Sequence, residues 1–157
     1  MINVLVVFLL FPCVSLACDL YVIGFRGKGG AFDQKAFNEY AGTACSRTYN
    51  AEQTREALGF IKTINKPYEL YGFSLGAVSV ATVLKNATIK PEFVLTIGAH
   101  STADVDFDKY GVRYKNYFDN SGRLQKSPGI HVKNIPHMDM QKYVNKNLRN
   151  EKSLWQQ

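Results

Sequence analysis

No charged side chain occurs before Asp19 in this 157-residue chain. No lysine or arginine precedes its one long apolar run, Val4 to Phe11, and Pro12 ends that run after eight residues. So short a run is a poor bilayer span, which needs about 20 apolar residues. Ser15-Leu16-Ala17 supplies small residues at the −3 and −1 positions of a signal-peptidase site. Residues 1–17 are therefore expected to be a secretory signal peptide, removed from a secreted or periplasmic protein whose single domain spans 18–157. The competing reading of the run is a buried N-terminal β-strand.

Repeats, low-complexity segments and linkers are absent, and the length suits one domain with one core. Cysteine is scarce, at three residues. Removal of Cys13 with the leader leaves Cys18 and Cys45, an even pair that reads either as a disulfide of an exported domain or as two buried thiols. Acidic residues are outnumbered, 13 against 19 Lys and Arg, giving a formal charge of +6 and a pI near 9.2. That balance favours weak contact with anionic surfaces through a basic face. No compact basic cluster with interleaved aromatics stands out, so nucleic acid is not expected as a partner. Asp104, Asp106 and Asp108 alternate in ADVDFD but lack the glycine and terminal glutamate of a calcium loop, which leaves them as a solvated segment.

What remains alternates between short apolar runs and longer amphipathic ones. DLYVIG (Asp19 to Gly24) reads as a first strand, followed by the glycine-rich GFRGKGG and a helix over Ala31 to Ala41. A second strand ends near Tyr49. Asn50 with Gln53 three residues on predicts a capped helix, with Ala57, Leu58, Ile61 and Ile64 as its apolar stripe. YELYGF is a third strand, Gly76 to Leu84 a helix, FVLTIG a fourth strand, RYKNYF a fifth and IHVKNI a sixth. A closing helix covers Met138 to Asn150, with Met140, Tyr143, Val144 and Leu148 on one face and Lys142, Lys146 and Arg149 on the other. Alternating strands and helices predict an α/β fold: a small, doubly wound, mostly parallel sheet of about five to six strands flanked by helices, with right-handed crossovers.

Between the third strand and its helix stands Gly72-Phe73-Ser74-Leu75-Gly76. A G-x-S-x-G turn between strand and helix forces the serine into a strained conformation that side chains at −2 and +2 would block. Through this GFSLG, the chain resembles the α/β-hydrolases, whose nucleophile elbow it matches. The resemblance extends over residues 19 to 150. It implies an acid and then a histidine, each on a loop after a later strand. Asp119 follows the fifth strand and His137 the sixth, so Ser74, Asp119 and His137 form the candidate triad. His131 lies within a strand and reads as a structural or surface imidazole. His100 follows the strand after the elbow, where the family seldom keeps its histidine, and Asp139 stands too near His137 to orient it.

The resemblance further implies an oxyanion hole. Leu75, next to the nucleophile, provides one N–H. The second comes from the loop after an earlier strand, here Ile23-Gly24-Phe25-Arg26-Gly27, in which the family's usual histidine is missing. By position Phe25 is the second donor, with Arg26 as the alternative. The small size leaves no room for a lid domain and resembles cutinase-like esterases. The implied activity is a serine esterase acting by acyl transfer on an ester substrate, such as a lipid or surface polymer, without metal or organic cofactor. An acyltransferase or thioesterase on the same triad, or a catalytically silent binding module, are the alternatives.

Overall fold

The computed structural model describes residues 18–99, 106–120 and 128–155, with side chains through 148 in the last segment. The expected signal peptide, and with it Cys13, lies outside these, as do His100 and Asp104. Strands β1 (Tyr21–Phe25), β2 (Cys45–Tyr49), β3 (Tyr68–Phe73), β4 (Phe93–Ile97), β5 (Arg113–Phe118) and β6 (Ile130–His131) form one sheet in the order β2-β1-β3-β4-β5-β6. Every neighbouring pair is parallel. The fold class read from the alternation of elements is the one observed.

Helices α1 (Gln34–Ala41), α2 (Thr54–Ile61), α3 (Leu75–Asn86) and α4 (Met140–Trp155) divide between the two faces. The period-2 alternation of β3 shows how. Tyr68 and Leu70 pack with Ala57, Ile61, Val80, Val83 and Leu84 of α2 and α3. Tyr71 and Phe73 pack on the other face with Phe37, Met140, Val144 and Leu148 of α1 and α4. Both faces are covered, which is why the central strands are apolar throughout.

Several boundaries differ from expectation for identifiable reasons. The first helix starts at Gln34 because Asp33 caps it, its Oδ1 accepting the Ala36 N–H at 2.9 Å. Asn50 and Gln53 do interact, the Asn50 N–H donating to Gln53 Oε1 at 2.9 Å. They close a turn instead of a helical first turn, and α2 begins at Thr54. The sixth strand shrinks to two residues because β6 pairs only with Tyr117 and Phe118, and Asn134, at φ 60°, turns the chain away. In α4 the buried stripe is Met140, Gln141, Val144, Asn145 and Leu148, whereas Tyr143 is exposed. Gln141 and Asn145, one turn apart, find hydrogen-bond partners inside, and this rotates the helix relative to its purely apolar reading.

Cys18 and Cys45 are disulfide-bonded, with Cα atoms 5.6 Å apart, tying the segment before β1 to the start of the edge strand β2. This resolves the open alternative in favour of the bridge. The chain-entropy model gives a 27-residue separation a stabilisation of roughly 3–4 kcal/mol. Cys45→Ser is expected to lose about that much. Urea unfolding with and without reductant measures it, and the variant should be insensitive to reductant.

Candidate functional site

In an open α/β sheet, ligands bind beyond the carboxyl ends of the strands, at the point where the strand order reverses. Here β1 leads outward to β2, and the chain then returns to place β3 on the other side of β1. The crevice between the ends of β1 and β3 is that point. It is bounded by the loop after Phe25 and by Ser74.

Ser74 is one of two non-glycine residues with positive φ among those described, at φ 54° and ψ −119°. Its N–H donates to the Ile97 carbonyl at 2.8 Å, which anchors the turn to the end of β4. The flanking glycines are required by space. A Cβ on Gly72 would stand 2.7 Å from the Gly76 carbonyl oxygen and 2.8 Å from both the Ala77 Cα and Val80. One on Gly76 would overlap the Phe25 carbonyl oxygen and stand 2.8 Å from that of Arg26. α3 therefore begins pressed against the end of β1, and only glycine permits it. Gly76→Ala is expected to destabilise the fold by about 3 kcal/mol, at the upper end for overpacking, because its obstacle is backbone. Thermal unfolding of the purified variant checks this.

The loop after β1 touches the elbow directly. A Cβ on Gly27 would come 3.1 Å from Ser74 Cβ, so the Gly27 backbone lies against the serine. The N–H groups along this segment can be assigned. Tyr21 donates to Pro67 ahead of β3, whereas Arg26 donates to Tyr49 at the end of β2. Since N–H groups alternate sides along a parallel strand, Phe25 points across the ladder toward β3. Gly27 donates to the Ala31 carbonyl at 2.8 Å. The next N–H, that of Lys28, takes no acceptor within the described chain. The expectation of Phe25 as a donor arose from placing the strand end at Gly24. Gly24 in fact lies inside β1, where a Cβ would meet the Phe37 ring at 2.8 Å, and its smallness serves packing with α1.

Asp119 and His137 meet. The imidazole Nδ1 lies 2.6 Å from Asp119 Oδ2, with the carboxylate buried and the ring about one-third exposed. Asp119 directly follows β5. His137 opens a single 3₁₀ turn, His137–Asp139, that runs into α4. Two contacts seat the ring over the sheet: Phe73, the neighbour of Ser74, has its centroid 5.1 Å away, and Gly98 passes beneath it. A Cβ on Gly98 would stand 2.7 Å from His137 Cε1, and its φ of +58° also favours glycine. The sequence offered only a lone glycine after a strand as a sign of this seat.

The remaining candidates lie elsewhere. His131 is exposed, stacks on Phe118 with centroids 5.0 Å apart, and its Nε2 is 2.9 Å from Asn120 Oδ1. Asp106 Oδ1 accepts the Lys109 N–H at 3.3 Å, and exposed Asp108 accepts from the Tyr114 hydroxyl at 3.4 Å. Asp139 is exposed.

No protein-family model matches the chain, and no curated protein does. Solved structures do. The chain is similar to a YdeN-like hydrolase of Pectobacterium atrosepticum, with a TM-score of 0.58 and 13% identity over 83% of this chain and 89% of that one. It is similar to a lid-less α/β serine hydrolase of Xanthomonas campestris, at 0.57 and 12% over 88% and 83%. It is also similar to human thioesterase 2, at 0.55 and 9% over 86% and 94%. At such identities the likeness is one of fold alone: the parallel sheet flanked by helices is α/β-hydrolase-like.

Proposed function

We propose that the chain is a serine hydrolase that cleaves carboxylic esters through an acyl-enzyme on Ser74. The observation that carries this reading is the strained backbone of Ser74 at the strand-reversal crevice. Strain of this kind costs of order 1–3 kcal/mol and persists where a site needs it. The Asp119–His137 pair on the neighbouring loops supplies the remaining chemistry.

In this reading Ser74 Oγ attacks the ester carbonyl as His137 Nε2 takes its proton. Asp119, bonded to Nδ1, selects the tautomer in which Nε2 accepts, and it stabilises the imidazolium that follows. His137 returns the proton to the leaving alcohol oxygen, and the acyl group stays on Ser74. A water then attacks the acyl carbonyl with His137 again as base, releasing the carboxylic acid and regenerating the serine. The oxyanion of each tetrahedral intermediate is held by the Leu75 N–H at the start of α3. For its second donor we assign Lys28 in place of Phe25, because its N–H has no acceptor among the described residues and adjoins the Gly27 backbone that touches Ser74.

The disulfide fits an oxidising compartment, and with it the proposal that residues 1–17 are removed on export. The activity is tested with p-nitrophenyl esters of increasing acyl length alongside an acyl thioester. Hydrolysis of the oxygen esters, lost in Ser74→Ala, supports the reading. Turnover confined to the thioester makes the chain a thioesterase on the same residues, and turnover of neither argues for a silent binding module.

A further inference from the structure

We propose that Gln141 is a positioning residue that holds the base and the oxyanion loop in register with the nucleophile's strand; this rests on the roles assigned above to Ser74 and His137. Gln141 is fully buried, and both ends of its amide are used. Nε2 donates to the Tyr71 hydroxyl at 2.9 Å, and Oε1 accepts the Asp33 N–H at 2.6 Å. These two partners stand 70 and 108 residues away in sequence, so the amide ties three distant segments together.

Each segment carries one part of the proposed machinery. Tyr71 lies on β3 three residues before Ser74, and Gln141 lies four residues after His137 on continuous helical backbone. Their hydrogen bond therefore sets how far α4, and His137 on the 3₁₀ turn that leads into it, sits along β3. Asp33 ends the loop that contains Gly27 and Lys28. It is held three ways: its N–H by Gln141, its Oδ1 by the cap of α1, and its Oδ2 by Lys142 Nζ at 3.6 Å. Gln141 so fixes the far end of the loop that supplies the second oxyanion donor. An apolar residue would fill the same space more cheaply, since burying a polar amide demands that each end be satisfied. What the amide adds is direction. It has a single arrangement in which Tyr71 and Asp33 are both bonded, whereas a leucine or methionine slides along the sheet.

The test replaces Gln141 by Met, similar in length and without hydrogen-bonding ends. Activity on the best ester, the rate of inactivation by a fluorophosphonate and the low-field proton signal of the His137 Nδ1–H are measured together. The expected result is a folded protein with kcat reduced roughly 10–100-fold, as for a catalytic group displaced by about 1 Å. KM should stay within about three-fold, labelling of Ser74 should slow in parallel with kcat, and the low-field signal should shift or broaden. Tyr71→Phe, which removes one of the two bonds and keeps the ring packing, should show a smaller loss of the same kind. If Gln141→Met does not fold, Tyr71→Phe decides alone. Undiminished kcat with an unchanged proton signal, in either folded variant, overturns the proposal. A wild-type protein that the fluorophosphonate fails to label at Ser74 overturns the reading of the serine itself, a result distinct from undiminished kcat in the variants.

Discussion

Ser74→Ala is expected to abolish ester turnover, by roughly 10⁴–10⁶ in kcat, and to leave the fold intact. The size follows from the covalent path: without Oγ there is no acyl-enzyme, and only the oxyanion donors and binding remain. The same position makes an opposite forecast for stability. At φ 54° and ψ −119°, Ser74 occupies a backbone region that glycine enters without cost. Ser74→Gly should therefore be as inactive as Ser74→Ala and more stable than wild type by about 1 kcal/mol. Thermal unfolding of the two variants beside wild type checks both statements. A stabilised, inactive Ser74→Gly would mean that the chain holds this serine against its conformational preference. A destabilised one would mean that the side chain supports the turn, and the argument from strain would fall.

The second large effect is expected at Asp119. Asn at this position keeps the size and the hydrogen bond to His137, but its amide can donate to Nδ1 and so favour the wrong imidazole tautomer. A loss of up to roughly 10⁴ in kcat is predicted, with KM little changed. Asp106→Asn and Asp108→Asn are suitable controls. Both lie between Ser74 and the histidine in chain order, yet their carboxylates bond to Lys109 and Tyr114, away from the imidazole. If either control loses activity while Asp119→Asn turns over normally, the acid has been misassigned. The 2.6 Å contact between Asp119 and His137 makes that outcome an unexpected one.

The parts of the molecule that were legible in the sequence share a local cause. Apolar runs such as YELYGF and FVLTI have no other use than buried strands, and GFSLG combines a strand end, a helix start and two sterically required glycines within five residues. The pairing of Asp119 with His137 was what the resemblance to the α/β-hydrolases implied, through their chain order and their places after strand ends. What stayed hidden depends on contacts distant in sequence. Gly24 looked like the start of a loop because nothing local says that a strand glycine is needed to admit Phe37. The naming of Phe25 as second oxyanion donor rested on the same strand end, and in a parallel ladder one residue decides which neighbour an N–H faces. Tyr143, expected on the apolar face of the last helix, is exposed, and Gln141 is buried, for a similar reason. Hydropathy puts a tyrosine inside and a glutamine outside, and only the Tyr71 hydroxyl and the Asp33 N–H reverse the order. Gly98 carried no signal beyond its type, since its role is to make room for a ring contributed from the chain segment before α4.

The central claim is that Ser74 is an activated nucleophile, and it is tested most directly by covalent labelling with a fluorophosphonate followed by peptide mass spectrometry. Such a probe phosphonylates a serine whose hydroxyl is deprotonated by a neighbouring base, and it spares ordinary serines. The account predicts stoichiometric modification of the peptide containing Ser74, none at buried Ser79, and a rate that collapses in His137→Ala. An intact, unlabelled Ser74 peptide in folded protein, or equal labelling with and without His137, would contradict it.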